Sequence, residues 1–141
     1  MRTRGHMSFK EISHTADIKI QACAPTLESL FSETCNALMQ VMYGTSRKGQ
    51  IKREIVVTSD DTESLLLEFL SEVLFVSEVE GIVFSAARVR INGSNLQAEM
   101  EGEPFNKDRH AQGTEVKGIS YSGLSIRQDA NGYMVDILFD V

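Results

Sequence analysis

The chain has 141 residues and carries 20 acidic against 14 basic side chains, which gives a formal net charge of −6. This length fits one domain that can bury a core without disulfide support. The acidic charge argues against strong direct binding to RNA or DNA, because phosphate contacts need clustered lysine and arginine, and it favours a basic partner or a divalent cation.

Cysteine usage and the lengths of the apolar stretches predict a cytoplasmic protein with no membrane partner. Cys23 lies in a predicted strand and Cys35 in a predicted helix, and neither has a Cys or His at a zinc-like spacing, so both are expected to be buried thiols. No apolar stretch approaches the roughly 20 residues of a membrane span. Residues 1–6 look like a cloning remnant ahead of a natural start at Met7, which leaves residues 7–141 as a single domain.

The first half of the chain predicts both strands and helices. Apolar residues alternate in the strands and recur at helical spacing in the helices. The predicted elements are strands at Phe9–Ile12, Ile18–Ala24 and Ile51–Thr58, a helix from an N-cap at Thr26 to Gly44, and a second helix that starts at Ser59–Asp61. Asp60 and Glu63 have the spacing of a capping box. The second helix is apolar around so much of its circumference that it should be the more buried of the two.

The second half of the chain alternates with period two, which predicts β-structure. The predicted strands are Ile82–Ile91, Asn95–Glu101, Glu115–Tyr121, Leu124–Gln128 and Tyr133–Val141. Asn92-Gly93 supplies the positive φ values of a type I′ turn between the first two. Two helices followed by a run of antiparallel strands indicate an α+β fold, with two helices packed on a curved, mainly antiparallel β-sheet. Residues 102–113 form the least regular stretch, and connections of this length are usually functional or mobile.

The two ends of the chain supply a candidate metal site. Asp140 lies in the apolar terminal strand Tyr133–Val141, where a carboxylate that loses water needs a partner. Asp17 lies at the bend between the first two strands, and with the terminal carboxylate or carbonyl of Val141 the two aspartates form an oxygen set suited to calcium or magnesium. Alternatively, each aspartate accepts backbone N–H bonds in a turn. Asp136 shares the strand face of Asp140 but lies roughly 13 Å away along the strand, too far to bind the same ion.

Few other residues point to chemistry. The sequence has no Gly-rich phosphate loop, no His-Glu-x-x-His helix, no Cys-x-x-Cys pair and no nucleophile elbow. His14, at the bend beside Asp17, either faces the metal or has a structural role. Lys117 is the one basic residue in an otherwise apolar predicted strand, where the pattern favours a solvated side chain that points outward.

Several motifs, taken together and in this order, resemble those of the archease family. They are Phe9-x-Glu-Ile-Ser-His-Thr-Ala-Asp17, Thr26-Leu-Glu-Ser-Leu-Phe31, Glu63-Ser-Leu-Leu-Leu-Glu-Phe-Leu70, Glu101-Gly-Glu-Pro104, Glu115-Val-Lys-Gly-Ile-Ser-Tyr121 and Leu138-Phe-Asp-Val141. The resemblance extends over nearly the whole chain, and its most specific part is His-Thr-Ala-Asp combined with a terminal Phe-Asp-aliphatic. Ser13 departs from the pattern, since many members have an acidic residue before the histidine.

The resemblance implies an accessory protein rather than an enzyme. Archeases act on the GTP-dependent tRNA-splicing RNA ligase, which joins 2′,3′-cyclic-phosphate or 3′-phosphate ends to 5′-hydroxyl ends through a guanylylated histidine, and they promote its guanylylation and multiple turnover. By position, Asp17, Asp140 and Val141 correspond to the family's metal ligands. Calcium is the first choice of ion, with magnesium or manganese as alternatives. Lys117 corresponds to a basic residue near that site, and His14 lies beside it.

Two other functions stay open on the sequence. One is a metal-dependent hydrolase that uses Asp17, Asp140 and His14, although no second histidine lies near them in the pattern. The other is a chaperone-like adaptor for a tRNA methyltransferase, a role also attached to the archease family. In that case residues 63–76 of the second helix or the loop 103–113 would contact the partner.

Overall fold

The computed structural model describes residues 7–13 and 17–141, and within these it contains seven strands and three helices. The strands are β1 (Ser8–Ser13), β2 (Asp17–Ala24), β3 (Ile51–Thr58), β4 (Ile82–Asn92), β5 (Asn95–Pro104), β6 (Gly118–Asp129) and β7 (Gly132–Asp140). The helices are α1 (Leu27–Tyr43), α2 (Thr62–Glu80) and the short α3 (Lys107–His110). The α+β class is therefore confirmed, with one helix more than the sequence predicted.

The strands form two antiparallel sheets where a single curved sheet was expected. The first sheet has the order β1-β2-β7-β6, and the second has the order β3-β5-β4. Strand β3 pairs with β5 rather than with a neighbour in the chain, so α2 and β4 intervene between the two partners. Hydrophobic periodicity reports which face of a strand is buried but not which strand lies beside it, and for this reason the pattern did not separate the two sheets.

The core lies between the helices and the two sheets. Helix α1 contacts β2 and β7 of the first sheet and β4 of the second, and α2 contacts β6 and β3. Phe31 of α1 and Phe69 of α2 are fully buried and stack with their ring centroids 6.2 Å apart. The prediction of two buried thiols is confirmed, and burial raises the pKa of Cys35 to about 12.

Helix α1 begins and ends where the sequence predicts. The Thr26 side chain accepts a hydrogen bond from the Ser29 N–H at 3.1 Å, and the Thr26 N–H donates to the Ser29 Oγ atom, which completes a capping box. Gly44 ends the helix with a φ of +87°, a value that glycine adopts without a steric penalty.

Helix α2 departs from the sequence prediction in its cap and in its burial. Its N-cap is Asp61, whose carboxylate accepts the Ser64 N–H at 2.8 Å, so the capping box predicted from Asp60 and Glu63 is wrong by one residue. The expectation that α2 is the more buried helix is also wrong, because α1 buries nine of its residues and α2 seven. Some of the apolar residues that suggested a buried helix lie on the solvent side of α2.

Two details of the β-structure also differ from the prediction. The β4–β5 loop is Gly93-Ser94, and only Gly93 has a positive φ, which fits a type II′ turn and not the predicted type I′. The two strands predicted around Ser122-Gly123 form one strand, β6, whose pairing with β7 is interrupted between Ser120 and Ser125. Gly123, with a φ of +74°, lies within this irregularity, and its presence after Ser122 led to the prediction of a turn at this position.

Candidate functional site

The structure places Asp17 and Asp140 directly opposite each other. They are paired at one end of the antiparallel strands β2 and β7, the two central strands of the four-stranded sheet. Residues directly opposite in such a pair have Cβ atoms about 4.5–5.5 Å apart. Asp140 is also paired on its other side with Gly118, the first residue of β6, so three strands meet at this sheet end. We call Asp17, Lys117, Gly118, Asp140 and Val141 the acidic tip.

Neither carboxylate of the acidic tip has a cationic partner within the described part of the chain. The ion pairs found there all involve other acids. Asp140 is exposed and Asp17 is half-buried. Two like charges directly opposite each other on a sheet repel, so this arrangement is unfavourable unless a cation or another donor lies between them.

The rest of the acidic tip leaves space beside Asp140. A Cβ at Gly118 would lie 3.7 Å from the Oδ2 atom of Asp140, so no side chain of that residue crowds the carboxylate. The backbone N–H of Lys117 donates to the carbonyl oxygen of Asp140 at 2.7 Å. Lys117 is exposed and lies just before β6, so its predicted place inside a strand is wrong. Val141 follows β7 and is also exposed.

Asp136, four residues before Asp140 on β7, has contacts of its own. Its carboxylate accepts a bond from the Gln21 side chain at 3.0 Å and forms an ion pair with Arg127 at 3.1 Å. Asp136 is therefore a carboxylate on the same strand as Asp140 that already has its partners, which makes it a natural control for the acidic tip.

His14 lies outside the described residues, together with Thr15 and Ala16. Its predicted position beside the candidate metal site stays a prediction. Over residues 7–13 and 17–141, no group of three His, Cys, Asp or Glu side chains is arranged to hold a metal ion. Among the described side chains of the acidic tip, the candidate metal ligands are thus the two carboxylates of Asp17 and Asp140.

A second polar cluster, which the sequence did not predict, lies in the stretch 102–113. Glu103 is 1% exposed, and its carboxylate is in contact with the guanidinium of Arg109 through both of its oxygens. It also accepts the backbone N–H of Lys48 at 2.7 Å. The ring of His110, equally buried, places its Nε2 atom 3.2 Å from Oε2 of Glu103. We call Glu103, Arg109 and His110 the buried triad.

The buried triad fixes the loop that precedes the acidic tip. The backbone N–H of Asn106 donates to Nδ1 of His110 at 2.9 Å, so the ring proton lies on Nε2, which faces Ser46 O at 3.0 Å. Further along, the Thr114 N–H donates to Val41 O at 2.8 Å, which fastens the end of the loop to α1. The loop is therefore ordered by internal bonds in the structure.

Charge pairing dominates the electrostatics of the buried triad. Hydrogen bonds from Arg109, with a further bond from the Lys48 N–H, lower the pKa of Glu103 from 4.5 to about 2 although burial opposes this shift. Glu103 in turn raises the pKa of Arg109. All three side chains have partners inside the protein, which indicates a structural role. The signal in the sequence was the occurrence of Glu103, Arg109 and His110 within one short stretch, but nothing in that spacing shows that their side chains are in contact.

Residues 9–141 match the sequence profile of the Archease protein family. The chain belongs to the archease family. It is 32% identical to the protein archease of Methanosarcina mazei, with 94% of this chain and 95% of that protein covered. It is 36% identical to the protein archease of Thermococcus gammatolerans, with 88% of this chain and 91% of that protein covered. The "protein archease-like" of Drosophila melanogaster is 32% identical, with 96% of this chain and 91% of that protein covered.

Solved structures agree with this family and with the fold. The solution structure of a Methanobacterium thermoautotrophicum protein superimposes with a TM-score of 0.83 at 28% identity, covering 94% of this chain and 98% of that chain. The crystal structure of a Thermotoga maritima protein, described as an archease and possible chaperone, gives a TM-score of 0.64 at 21% identity, covering 96% and 98%, and supports the fold alone.

This family membership agrees with the predicted archease-type accessory role. Among the described helices, none combines the length and the apolar character needed to cross a bilayer.

Proposed function

We propose that this archease activates the GTP-dependent tRNA-splicing RNA ligase by presenting a divalent cation at its acidic tip. The proposal rests on one observation: Asp17 and Asp140 lie directly opposite each other at a sheet end, with no cationic partner among the described residues. Family membership supports an accessory role, and the resemblance of the motifs supplies the ligase as the partner and tRNA splicing as the process. The cytoplasm is the proposed location, as expected from the sequence.

The donor set fits a hard cation. Asp17 and Asp140 would hold the ion through carboxylate oxygens, and an oxygen of Val141 and water would complete the shell. Calcium is the preferred ion because it accepts oxygen ligands of mixed kind in a flexible geometry, whereas magnesium requires a nearly regular octahedron. Manganese, which also binds oxygen ligands, is the remaining alternative. A bound divalent ion would supply positive charge to a phosphate group at this surface. The space above Gly118 leaves Asp140 accessible to such a ligand.

The fold supports the acidic tip in a way that suits an accessory role. Transfer of a nucleotide to a histidine depends mainly on positioning and on stabilisation of phosphate charge. Asp17 and Asp140 are fixed by the pairing of two central strands, so their separation changes little when a partner binds. Lys117, whose backbone N–H donates a hydrogen bond to the Asp140 carbonyl oxygen, lies at the same sheet end and adds a basic group there. The site can therefore be offered to a partner without rearrangement of the core.

The test is a guanylylation assay with the purified ligase, GTP and variants of this archease. Asp17→Ala and Asp140→Ala are each expected to reduce stimulation of guanylylation at least about tenfold, because each removes half of the carboxylate pair. Asp136→Ala, on the same strand and already paired with Arg127, is the matched control and should keep stimulation close to that of the unchanged protein. Full stimulation by folded Asp17→Ala and Asp140→Ala proteins would contradict the proposal.

A chaperone-like adaptor that modulates a tRNA methyltransferase is the second candidate function. The Thermotoga maritima protein of similar fold is described as a possible chaperone. In the present archease, Phe75 of α2 and Phe105 of the loop after β5 are large apolar side chains on the surface. This candidate predicts that Asp140→Ala leaves methyltransferase binding unchanged in a pull-down, whereas Phe105→Ser weakens it. The reverse pattern would contradict the adaptor role.

A further inference from the structure

The outer face of α2 has an unusual composition for the surface of a helix. Within Thr62–Glu80 the helix has five glutamates and neither lysine nor arginine. Two of its large apolar residues, Phe75 and Val79, are 59% and 66% exposed. We call Glu68, Glu72, Phe75, Glu78 and Val79 the acidic stripe.

Helical geometry brings the residues of the acidic stripe onto one face. Glu68, Glu72, Phe75 and Val79 follow one another at spacings of four, three and four residues, which places them in a single row along the helix. Glu78 lies beside this row and close enough to Tyr43 for its charge to contribute to a raised pKa of that phenol, which is caused mainly by burial. The stripe therefore has two adjacent apolar side chains at its C-terminal end and carboxylates around them.

The carboxylates of the stripe have no partner within the described residues. Of the remaining two glutamates of α2, Glu63 accepts the Ile126 N–H at 3.2 Å, and Glu80 is paired with Arg53 at 2.8 Å. The last turn of α2 contains no basic residue, so Glu78 stands near the negative end of the helix dipole. A carboxylate in that position is unfavourable, and a positive charge beside it is favourable.

We propose that the acidic stripe is a docking surface for a basic amphipathic helix of a partner protein. The apolar side of such a helix would cover Phe75 and Val79, and its lysines or arginines would pair with Glu72 and Glu78. Charge disfavours the other occupants. A second copy that docked through the same face would place glutamates against glutamates, and an anionic membrane or a nucleic acid would be repelled. The stripe shares no residue with the acidic tip, so this surface is additional to the proposed ligase-activating site.

The experiment uses a fluorescein-labelled peptide of about 18 residues, built from leucine and lysine with the leucines on one helical face, and measures its anisotropy against the full chain. Phe75→Ser is expected to weaken binding about tenfold, because it removes the larger of the two apolar contacts. Glu72→Lys combined with Glu78→Lys is expected to weaken it at least as much, and salt should weaken binding to the unchanged protein.

Matched controls separate this surface from general attraction to an acidic protein. Val56→Ser changes an apolar side chain of β3 that is 62% exposed, and Glu11→Lys with Glu54→Lys makes the same charge change on β1 and β3. Both controls should bind the peptide within about twofold of the unchanged protein. Equal weakening by the controls, or unchanged affinity of Phe75→Ser, would overturn the proposal. A concentration-dependent dimer that Phe75→Ser dissociates would also overturn it, because the occupant would then be a second copy.

The guanylylation assay distinguishes the proposed docking surface from the proposed ligase-activating site. Phe75→Ser retains the whole acidic tip, so loss of peptide binding with normal guanylylation would support the docking surface alone. Asp140→Ala retains the acidic stripe and should bind the peptide normally.

Discussion

Replacement of Glu103 by alanine is expected to lower the free energy of unfolding by about 3 kcal/mol. The variant removes a buried carboxylate that contacts Arg109 and His110 and accepts the Lys48 N–H. Loss of one partner of a buried charge pair leaves the other groups with unmet hydrogen-bonding capacity. Because Arg109 is 30% exposed in its side chain and can regain water, the expected loss lies at the lower end of the range for buried ion pairs.

Urea unfolding followed by circular dichroism measures this loss. Glu101→Ala is the matched control, since Glu101 lies two residues earlier on β5 and is exposed, and it should change stability by less than about 0.5 kcal/mol. Equal losses of unfolding free energy in Glu103→Ala and Glu101→Ala would contradict a specific contribution of the buried triad to stability.

The contribution of Glu103 to stability is expected to depend on pH. The pKa of Glu103 is lowered from 4.5 to about 2 in the folded protein, so its contribution is complete above about pH 4.5 and is lost as the pH falls toward 2. The difference in stability between the unchanged protein and Glu103→Gln should therefore be constant from pH 7 to about 5 and shrink below that range. A difference that grows on acidification would contradict the pairing.

The sequence predicts elements well where local chemistry marks both ends. Ile51–Thr58 was predicted at its observed bounds because a polar linker precedes it and an acidic helix start follows it. Thr26 and Gly44 bound α1 for the same reason, since each has a specific role in capping. The candidate residues Asp17 and Asp140 were also identified from sequence, as carboxylates at the ends of apolar strands. Their direct opposition depends on strand register, which only the fold provides.

The features that the sequence did not predict depend on contacts between distant segments. The buried triad needs Lys48 and Ser46, which precede it by more than 50 residues. Its members lie at the end of β5 and in the short α3, in a polar stretch of sequence where no hydrophobic periodicity marks burial. The exposure of Phe75 and Val79 was missed for a related reason, because an apolar residue on a mostly apolar helix gives no sign of which side meets solvent.

Calcium is expected to stabilise the folded archease, and Asp140→Asn to abolish that effect. An ion that binds only the folded state adds about 2.7 kcal/mol of stability at one hundred times its dissociation constant. The measurement is urea unfolding with a chelator and with increasing calcium, repeated with magnesium and manganese to rank the ions. Asp136→Asn is the control, and it should keep the calcium response because its carboxylate is engaged with Gln21 and Arg127.

The sign of the effect without metal distinguishes a binding site from a structural pair. With a chelator present, Asp140→Asn should be more stable than the unchanged protein by a few tenths to about 1 kcal/mol, because it removes the repulsion from Asp17 across the strands. With saturating calcium the order should reverse, since only the unchanged protein gains the binding energy. A purely structural role for Asp140 predicts a loss of stability under both conditions. That result, or the absence of stabilisation by all three ions, would show that the paired carboxylates do not form a metal site.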